Sequence, residues 1–238
     1  MLELRSITAG YDRRAPVVRE VSLTIEPGEA VGLLGPSGCG KSTLARVAAL
    51  LHRPYSGTVV LDGEPVHRWR HRAPRALRTA LGIVFQQPRL SSDPRLRLAD
   101  LIAEPLHATG RREEADGRVA ELATLLGLTP DLLRRRPHEV SDGQLQRACL
   151  ARALVLRPRW LVCDEVAAML DASTTAALVE VIEHYRTTTG AGLLAVGHDP
   201  ALLRRWCDRT VHWESLAAPP RPPEDRPSTL VHDKEGRS

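Results

Sequence analysis

Gly35-Pro36-Ser37-Gly38-Cys39-Gly40-Lys41-Ser42, set directly behind the apolar run Ala30-Val31-Gly32-Leu33-Leu34, is the stretch on which the fold turns. It matches GxxxxGK[ST], with a short buried-strand pattern before it and a helical pattern over about 42–52 after it. Glycines let consecutive backbone N–H groups turn inward around phosphate oxygens, a concavity that residues with side chains form with difficulty. A helix starting near Lys41 aims the positive end of its dipole at the same oxygens. Lys41 is placed to reach the β- and γ-phosphates of a nucleotide and the Ser42 hydroxyl to ligate Mg²⁺, with Gly35 through Gly40 and Thr43 completing the cradle. The chain uses Arg almost throughout and has Lys only at Lys41 and Lys234, so one of its two lysines falls in this loop.

Outward from the loop, the patterning is that of an α/β chain. Residues 1–30 alternate apolar and polar positions, as in Val21-Ser22-Leu23-Thr24-Ile25, and read as strands, with Pro27-Gly28 as a turn. Gly57–Gly63 reads as a hairpin strand with its turn, and a further strand ends at Val84-Phe85. From about 95 to 157 helical spacing takes over, carried by Ile102, Leu106, Val119, Leu122, Leu125 and Leu126. Strands return at Trp160-Leu161-Val162-Cys163 and Leu193-Leu194-Ala195-Val196, with a helix over 173–186 between them. The order predicts one domain, residues 1–216, whose strand-helix-strand core carries an inserted helical lobe over about 88–157. The Pro-rich end, residues 217–238, is expected to be disordered.

The bulk properties bound the function. Hydrophobic residues make up 42% of 238, enough for a full core. No apolar run reaches the roughly 18–20 residues of a membrane span, and the N-terminus lacks a signal-peptide pattern. The expectation is a cytoplasmic protein, peripheral on any membrane. Cys39, Cys149, Cys163 and Cys207 lie far apart, without disulfide or metal-ligand spacing. A net charge of +4 and a pI near 9.2 raise nucleic acid as a partner. The positive charge is spread along the chain, without an RNA-binding aromatic motif or a zinc finger, so no nucleic acid is expected.

A second constellation lies at the end of Trp160-Leu161-Val162-Cys163, where the apolar strand runs into Asp164-Glu165. Carboxylates at the C-terminal end of a parallel strand face the ligand crevice of an open α/β sheet. Asp164 is placed to hold Mg²⁺, and Glu165 to polarise an attacking water as general base.

With these residues in order, the chain from about Tyr11 to His212 resembles the ATP-binding cassette (ABC) family. Val140-Ser141-Asp142-Gly143-Gln144 resembles the family signature LSGGQ, and Asp164-Glu165-Val166-Ala167-Ala168-Met169-Leu170-Asp171 resembles the acidic strand running into the D-loop. Gln86 falls at the position of the Q-loop glutamine and His198 at that of the switch histidine. The resemblance implies a P-loop NTPase (RecA-like) core with an N-terminal antiparallel β subdomain and an inserted α-helical subdomain. It implies a head-to-tail dimer with ATP and Mg²⁺ buried between subunits. Tyr11 would stack on adenine, and Gln86 would sense the γ-phosphate and, with Ser42 and Asp164, the metal. His198 would contact the γ-phosphate, Ser141, Gly143 and Gln144 would meet the partner's nucleotide, and Asp171 would act across the interface. The implied partners are transmembrane permease subunits, a second ATPase subunit of the same or a different kind, and an extracytoplasmic substrate-binding protein.

Two departures bear on this reading. Asp142 stands where the signature has glycine. A full charge ~4 Å from a phosphate would cost about 1 kcal/mol in water-like surroundings and about 4 kcal/mol at an effective dielectric of 20. Ser141 and Gln144 have capping-box spacing, however, which makes Ser141 the N-cap and Asp142 the first helical residue, with its side chain outward. The segment Pro88-Arg89-Leu90-Ser91-Ser92-Asp93-Pro94-Arg95, followed by Ala103-Glu104-Pro105-Leu106, resembles the peptide and nickel importer branch, with Pro94 and Pro105 breaking helices there. The C-terminal extension usual in that branch is replaced by the short Pro-rich end. Two other readings stand beside a transport ATPase. One is a catalytically weak ATP-binding partner of an active homologue, which Glu165 and His198 weigh against. The other is a non-transport cassette acting on nucleic acid, which the single cassette without a coiled-coil insertion weighs against.

Overall fold

Alternation along the first residues produces strands with one buried face. In the computed structural model, which describes residues 1–166 and 170–216, β1 (Leu2–Ala9) and β2 (Val18–Ile25) bury Leu4, Ile7, Val21 and Ile25 and expose Arg5, Arg19 and Glu20. β3 (Ala30–Leu34) is buried at every position and leads through the glycine-rich loop into α1 (Lys41–Ala48). β4 (Ser56–Leu61), β5 (Glu64–Pro65), α2 (Arg75–Thr79) and β6 (Leu81–Val84) follow. The helical stretch is α3 (Leu98–Ala108), α4 (Ala115–Leu125), α5 (Pro130–Arg134) and α6 (Asp142–Leu154). The chain then returns to alternation of strand and helix with β7 (Trp160–Asp164), α7 (Ala172–Thr189), β8 (Gly192–Gly197), α8 (Pro200–Trp206), β9 (Arg209–His212) and α9 (Trp213–Leu216). The expected disordered end and Ala167, Ala168 and Met169 lie outside the described residues.

Two sheets result: an antiparallel one in the order β2-β1-β4-β5 and a parallel one in the order β6-β7-β8-β3-β9. The split follows from the patterning. One-faced strands suit an antiparallel layer, whereas β3 and β7, apolar along their length, suit a parallel sheet covered on both sides. One apolar cluster joins the antiparallel sheet, α1 and the near face of β3, through Ile7, Leu33, Leu44 and Val59. Another joins the helical stretch to the far face of the parallel sheet, through Leu101, Leu145, Leu161 and Leu193. Because the strands are parallel, the ends of β3, β6, β7 and β8 that carry the motifs all lie along one edge. Among the described residues no helix is long and apolar enough to cross a membrane.

Three expectations need correction. The helix expected over about 42–52 runs only from Lys41 to Ala48, because Leu50 stands in the left-handed region (φ 59°). Pro105 does not break a helix; it lies inside α3, four positions from the residue whose N–H caps its carbonyl, Thr109 (3.1 Å). The cost of an internal proline, about 3 kcal/mol, is offset by the face of Leu98, Leu101, Ile102 and Leu106, all fully buried. The helix expected over 173–186 runs from Ala172 to Thr189, because Asp171 caps its start and Gly190, in the left-handed region, ends it.

Candidate functional site

The loop after β3 closes around its own lysine. Lys41 is only 3% exposed, and its Nζ donates to the carbonyls of Gly35 and Pro36, each at 2.8 Å. Nζ also stands 3.7 Å from Oε1 of Glu165, so the buried cation is balanced by a carboxylate. Gly40, the residue before α1, has φ 118° and lies against Val17 and the ring of Trp213. Pro36, Ser37 and Gly38 are exposed, Cys39 is half-buried, and Thr43 is buried on α1.

The acidic end of β7 lies beside this loop. The Ser42 hydroxyl donates to Oδ1 of Asp164 at 2.8 Å, joining the first turn of α1 to the strand. Burial pushes the Asp164 carboxyl above the ordinary carboxylate range, while the Ser42 hydrogen bond and the charges of Arg46 and Lys41 pull the other way. Glu165 is held in the left-handed region, φ 50°, with its N–H donating to Val196 of β8 at 3.0 Å. The side chain of Glu165 gathers three groups: Lys41 at Oε1, and Gln86 Nε2 (2.9 Å) and His198 Nδ1 (3.5 Å) at Oε2. His198 follows β8 and is half exposed, and Gln86 follows β6.

A cleft of ≈ 310 Å³ opens here, lined by Ser42, Arg46, Phe85, Gln86, Leu90 and Asp164. A larger hollow of ≈ 480 Å³ on α3, among Leu96, Asp100, Glu104, His107 and Arg112, includes none of these residues, so the smaller cleft is the candidate site. Tyr11 stands at the surface, 70% exposed, held edge-on against His52 with ring centroids 5.3 Å apart. Arg46 donates to the Tyr11 hydroxyl, which ties the aromatic to the helix that carries Ser42.

Ser141, Gly143, Gln144 and Asp171 make no hydrogen bond or ion pair with that group among the described residues. Ser141 is the N-cap of α6: Gln144 N–H donates to its Oγ (3.3 Å), and its own N–H donates to Gln144 Oε1 (3.0 Å). Asp142 is the first residue of α6 and half exposed, with Arg89 Nε 2.7 Å from its Oδ1. Gly143 faces Thr174 of α7. Asp171 caps α7, accepting from the hydroxyl of Ser173 (2.6 Å) and from the N–H (2.9 Å) and hydroxyl (2.7 Å) of Thr174, which hold its carboxyl well below the ordinary range.

Three contributors escaped the sequence reading. Arg46 lies one turn beyond Ser42 on α1, a spacing that could have flagged it. Arg89 and Trp213 act at long sequence separation, and no local pattern marks them.

Comparison with known proteins follows the same outline. A family model described as ABC transporter matches residues 18–168. A putative peptide import ATP-binding protein of Brucella abortus is 43% identical over 79% of this chain and 57% of its own. A glutathione import ATP-binding protein of Pectobacterium atrosepticum is 40% identical over 81% of this chain and 31% of its own. The nickel import ATP-binding protein NikE of Escherichia coli is 35% identical over 85% of this chain and 76% of its own. The chain thus spans about a third to three fifths of the length of the first two. Among solved structures, the ATP-binding cassette MJ0796, a dimer in a post-hydrolysis state bound to ADP and Pi, superposes with a TM-score of 0.80. It is 27% identical and covers 89% of this chain and 94% of its own.

Proposed function

The chain belongs to the ABC transporter family, and on that premise we propose that it is an ATP-binding, ATP-hydrolysing subunit that powers a membrane importer. The observation that carries the reading is the meeting of Lys41, Gln86 and His198 on the Glu165 carboxylate, beside the Ser42–Asp164 pair. Phosphate-loop lysine, acidic strand end and the two polar residues from neighbouring strands come from distant parts of the chain to one edge.

The donors suit ATP and Mg²⁺. The Ser42 hydroxyl, the Gln86 amide oxygen and the Asp164 carboxylate are hard oxygen ligands of the kind magnesium takes. Among the described residues no group of three or more His, Cys, Asp or Glu could hold a metal by itself, so a cation here would draw the rest of its shell from phosphates and water. Mg²⁺, when bound there, would supply positive charge that offsets the negative charge of the phosphates. Tyr11, exposed at the surface, would stack on adenine. Lys41 would exchange the carbonyls of Gly35 and Pro36 for phosphate oxygens, releasing Glu165 at the same time. Glu165 would then take the proton of the attacking water as its oxygen bonds to the terminal phosphorus and the bond from phosphorus to the leaving ADP oxygen breaks. Gln86 and His198, already on the Glu165 carboxylate, would orient that water and the γ-phosphate. Ser141, Gly143 and Gln144 would serve the nucleotide of a second cassette, identical or homologous, with Asp171 at the interface.

Peptides or nickel are the proposed cargo. The names of the relatives support this, as does the segment Ser91-Ser92-Asp93-Pro94-Arg95 with Ala103-Glu104-Pro105-Leu106. Selection of cargo would fall to permease subunits and an extracytoplasmic binding protein, with this chain at the cytoplasmic face. The test is Mg²⁺-dependent ATP hydrolysis by the full chain, Glu165→Gln and Lys41→Ala. Glu165→Gln should lose at least about 100-fold in turnover while still binding ATP, the range expected for a general base. Turnover by Glu165→Gln at the wild-type rate would refute the assignment.

A further inference from the structure

Arg89 lies three residues beyond Gln86 and spends its whole guanidinium on the loop that leads into α6. Nη1 donates to the carbonyl of Pro137 (2.8 Å), Nη2 to that of Val140 (3.0 Å), and Nε stands 2.7 Å from Oδ1 of Asp142. These partners are 48 and more residues away in sequence, so the fold alone brings them together. The two carbonyl contacts are aligned hydrogen bonds. The contact with Asp142 is an ion pair without hydrogen-bond alignment, since Oδ1 has no aligned donor. Arg89 thus fixes the loop by its two outer nitrogens and the charge by the inner one.

Asp142 creates a conflict that this geometry resolves. A carboxylate in the first turn stabilises the isolated helix, but it repels any phosphate brought to the same N–H groups. An arginine fork cancels that charge from the side while its carbonyl bonds keep the Ser141 loop in place; a lysine would bring charge without the fork. We propose that Arg89 is a positioning residue for hydrolysis: it neutralises Asp142 and ties the segment after Gln86 to the Ser141 loop, so that this loop can receive a phosphate held by a second cassette. The proposal rests on the ATPase reading above. It also means that a displacement of the segment after Gln86 carries the Ser141 loop with it.

The experiment is ATPase kinetics on the full chain carrying Arg89→Ala, Asp142→Gly and the pair, with Lys41→Ala as the inactive reference. Arg89→Ala should lower kcat about tenfold or more with KM for ATP little changed, because the subunit's own phosphate loop is intact. Asp142→Gly in the Arg89→Ala background should recover most of that loss, since the unpaired carboxylate is what obstructs the phosphate; a merely structural role for Arg89 would not be rescued in this way. If Arg89→Ala does not fold, Arg89→Gln takes its place with the same expectations. A kcat within twofold of wild type for Arg89→Ala, or a double variant as slow as the single one, overturns the proposal. Wild-type turnover no faster than Lys41→Ala would instead overturn the ATPase reading. Hydrogen exchange of residues 137–144 in the nucleotide-free chain then decides the tie, faster exchange in Arg89→Ala supporting it and unchanged exchange overturning it.

Discussion

Alanine at two glycines of the phosphate loop separates conformational strain from collision. Gly40 has φ 118°, and a methyl there would lie 2.7 Å from the carbonyl oxygen of Val17 and 3.0 Å from the ring of Trp213. Gly38 also has positive φ, 79°, yet nothing lies within 4 Å of its added methyl. Gly38→Ala therefore bears the backbone cost alone, about 1–2 kcal/mol. Gly40→Ala bears a backbone cost of about 1–3 kcal/mol and an overpacking cost of about 1–3 kcal/mol, hence about 2–6 kcal/mol together. For a chain of this size each kcal/mol lowers Tm by about 2–4 °C. The fall for Gly40→Ala should thus exceed that for Gly38→Ala, the mid-range costs being about 4 against about 1.5 kcal/mol. Thermal unfolding followed by circular dichroism, at one pH and one protein concentration without nucleotide, measures both. Equal falls in Tm would refute the reasoning, because they would mean that Val17 and Trp213 yield without cost.

Two further outcomes follow from the site. Burial raises the Asp164 pKa above its ordinary 3.8, so the folded chain keeps a proton that the unfolded chain has released. This contribution favours folding at low pH and is lost as pH rises from about 3.8 through the raised value. In nucleotide-free protein, Asp164→Asn should therefore gain Tm relative to wild type as pH rises across that window; a constant difference from pH 3 to 8 would contradict it. Ser141→Ala removes the N-cap of α6 and should cost about 1 kcal/mol, roughly 2–4 °C in Tm, with faster hydrogen exchange at Gln144 N–H. Unchanged exchange there would show that the capping box contributes nothing.

The parts of the site that were legible in the sequence are those written in contiguous residues. A buried strand, eight residues of the GxxxxGKS pattern and a helix specify the glycine-rich loop locally, and Trp160-Leu161-Val162-Cys163 ending in Asp164-Glu165 does the same for the acidic edge. The capping box of Ser141 and Gln144 was legible too, because its two hydrogen bonds span three residues. What joins these pieces was not. Arg89 reaches Asp142, and Trp213 underlies Gly40, through contacts that only the packed chain creates. Pro105 shows the opposite limit: its local rule is sound, yet α3 has enough buried leucine and isoleucine to continue past it. The left-handed backbone of Glu165 has no signal in composition, since a glutamate there is disfavoured unless the surrounding hydrogen bonds hold it.

The placing of β3 between β8 and β9 has a consequence for how the chain is made. Ala30 pairs with Leu193 and Val31 with Arg209, so the strand before the phosphate loop leaves the ribosome roughly 160 residues ahead of its neighbours. At translation rates of about 5–20 residues per second, that strand, apolar at all but Gly32, waits on the order of ten seconds without its sheet. The antiparallel layer of β1, β2 and β4, complete by residue 61, and α1 share an apolar cluster with β3 and are available to cover it early in that interval. Early mutations in that layer would then be read in the cell as lost yield and aggregation during synthesis, even where the finished protein tolerates them.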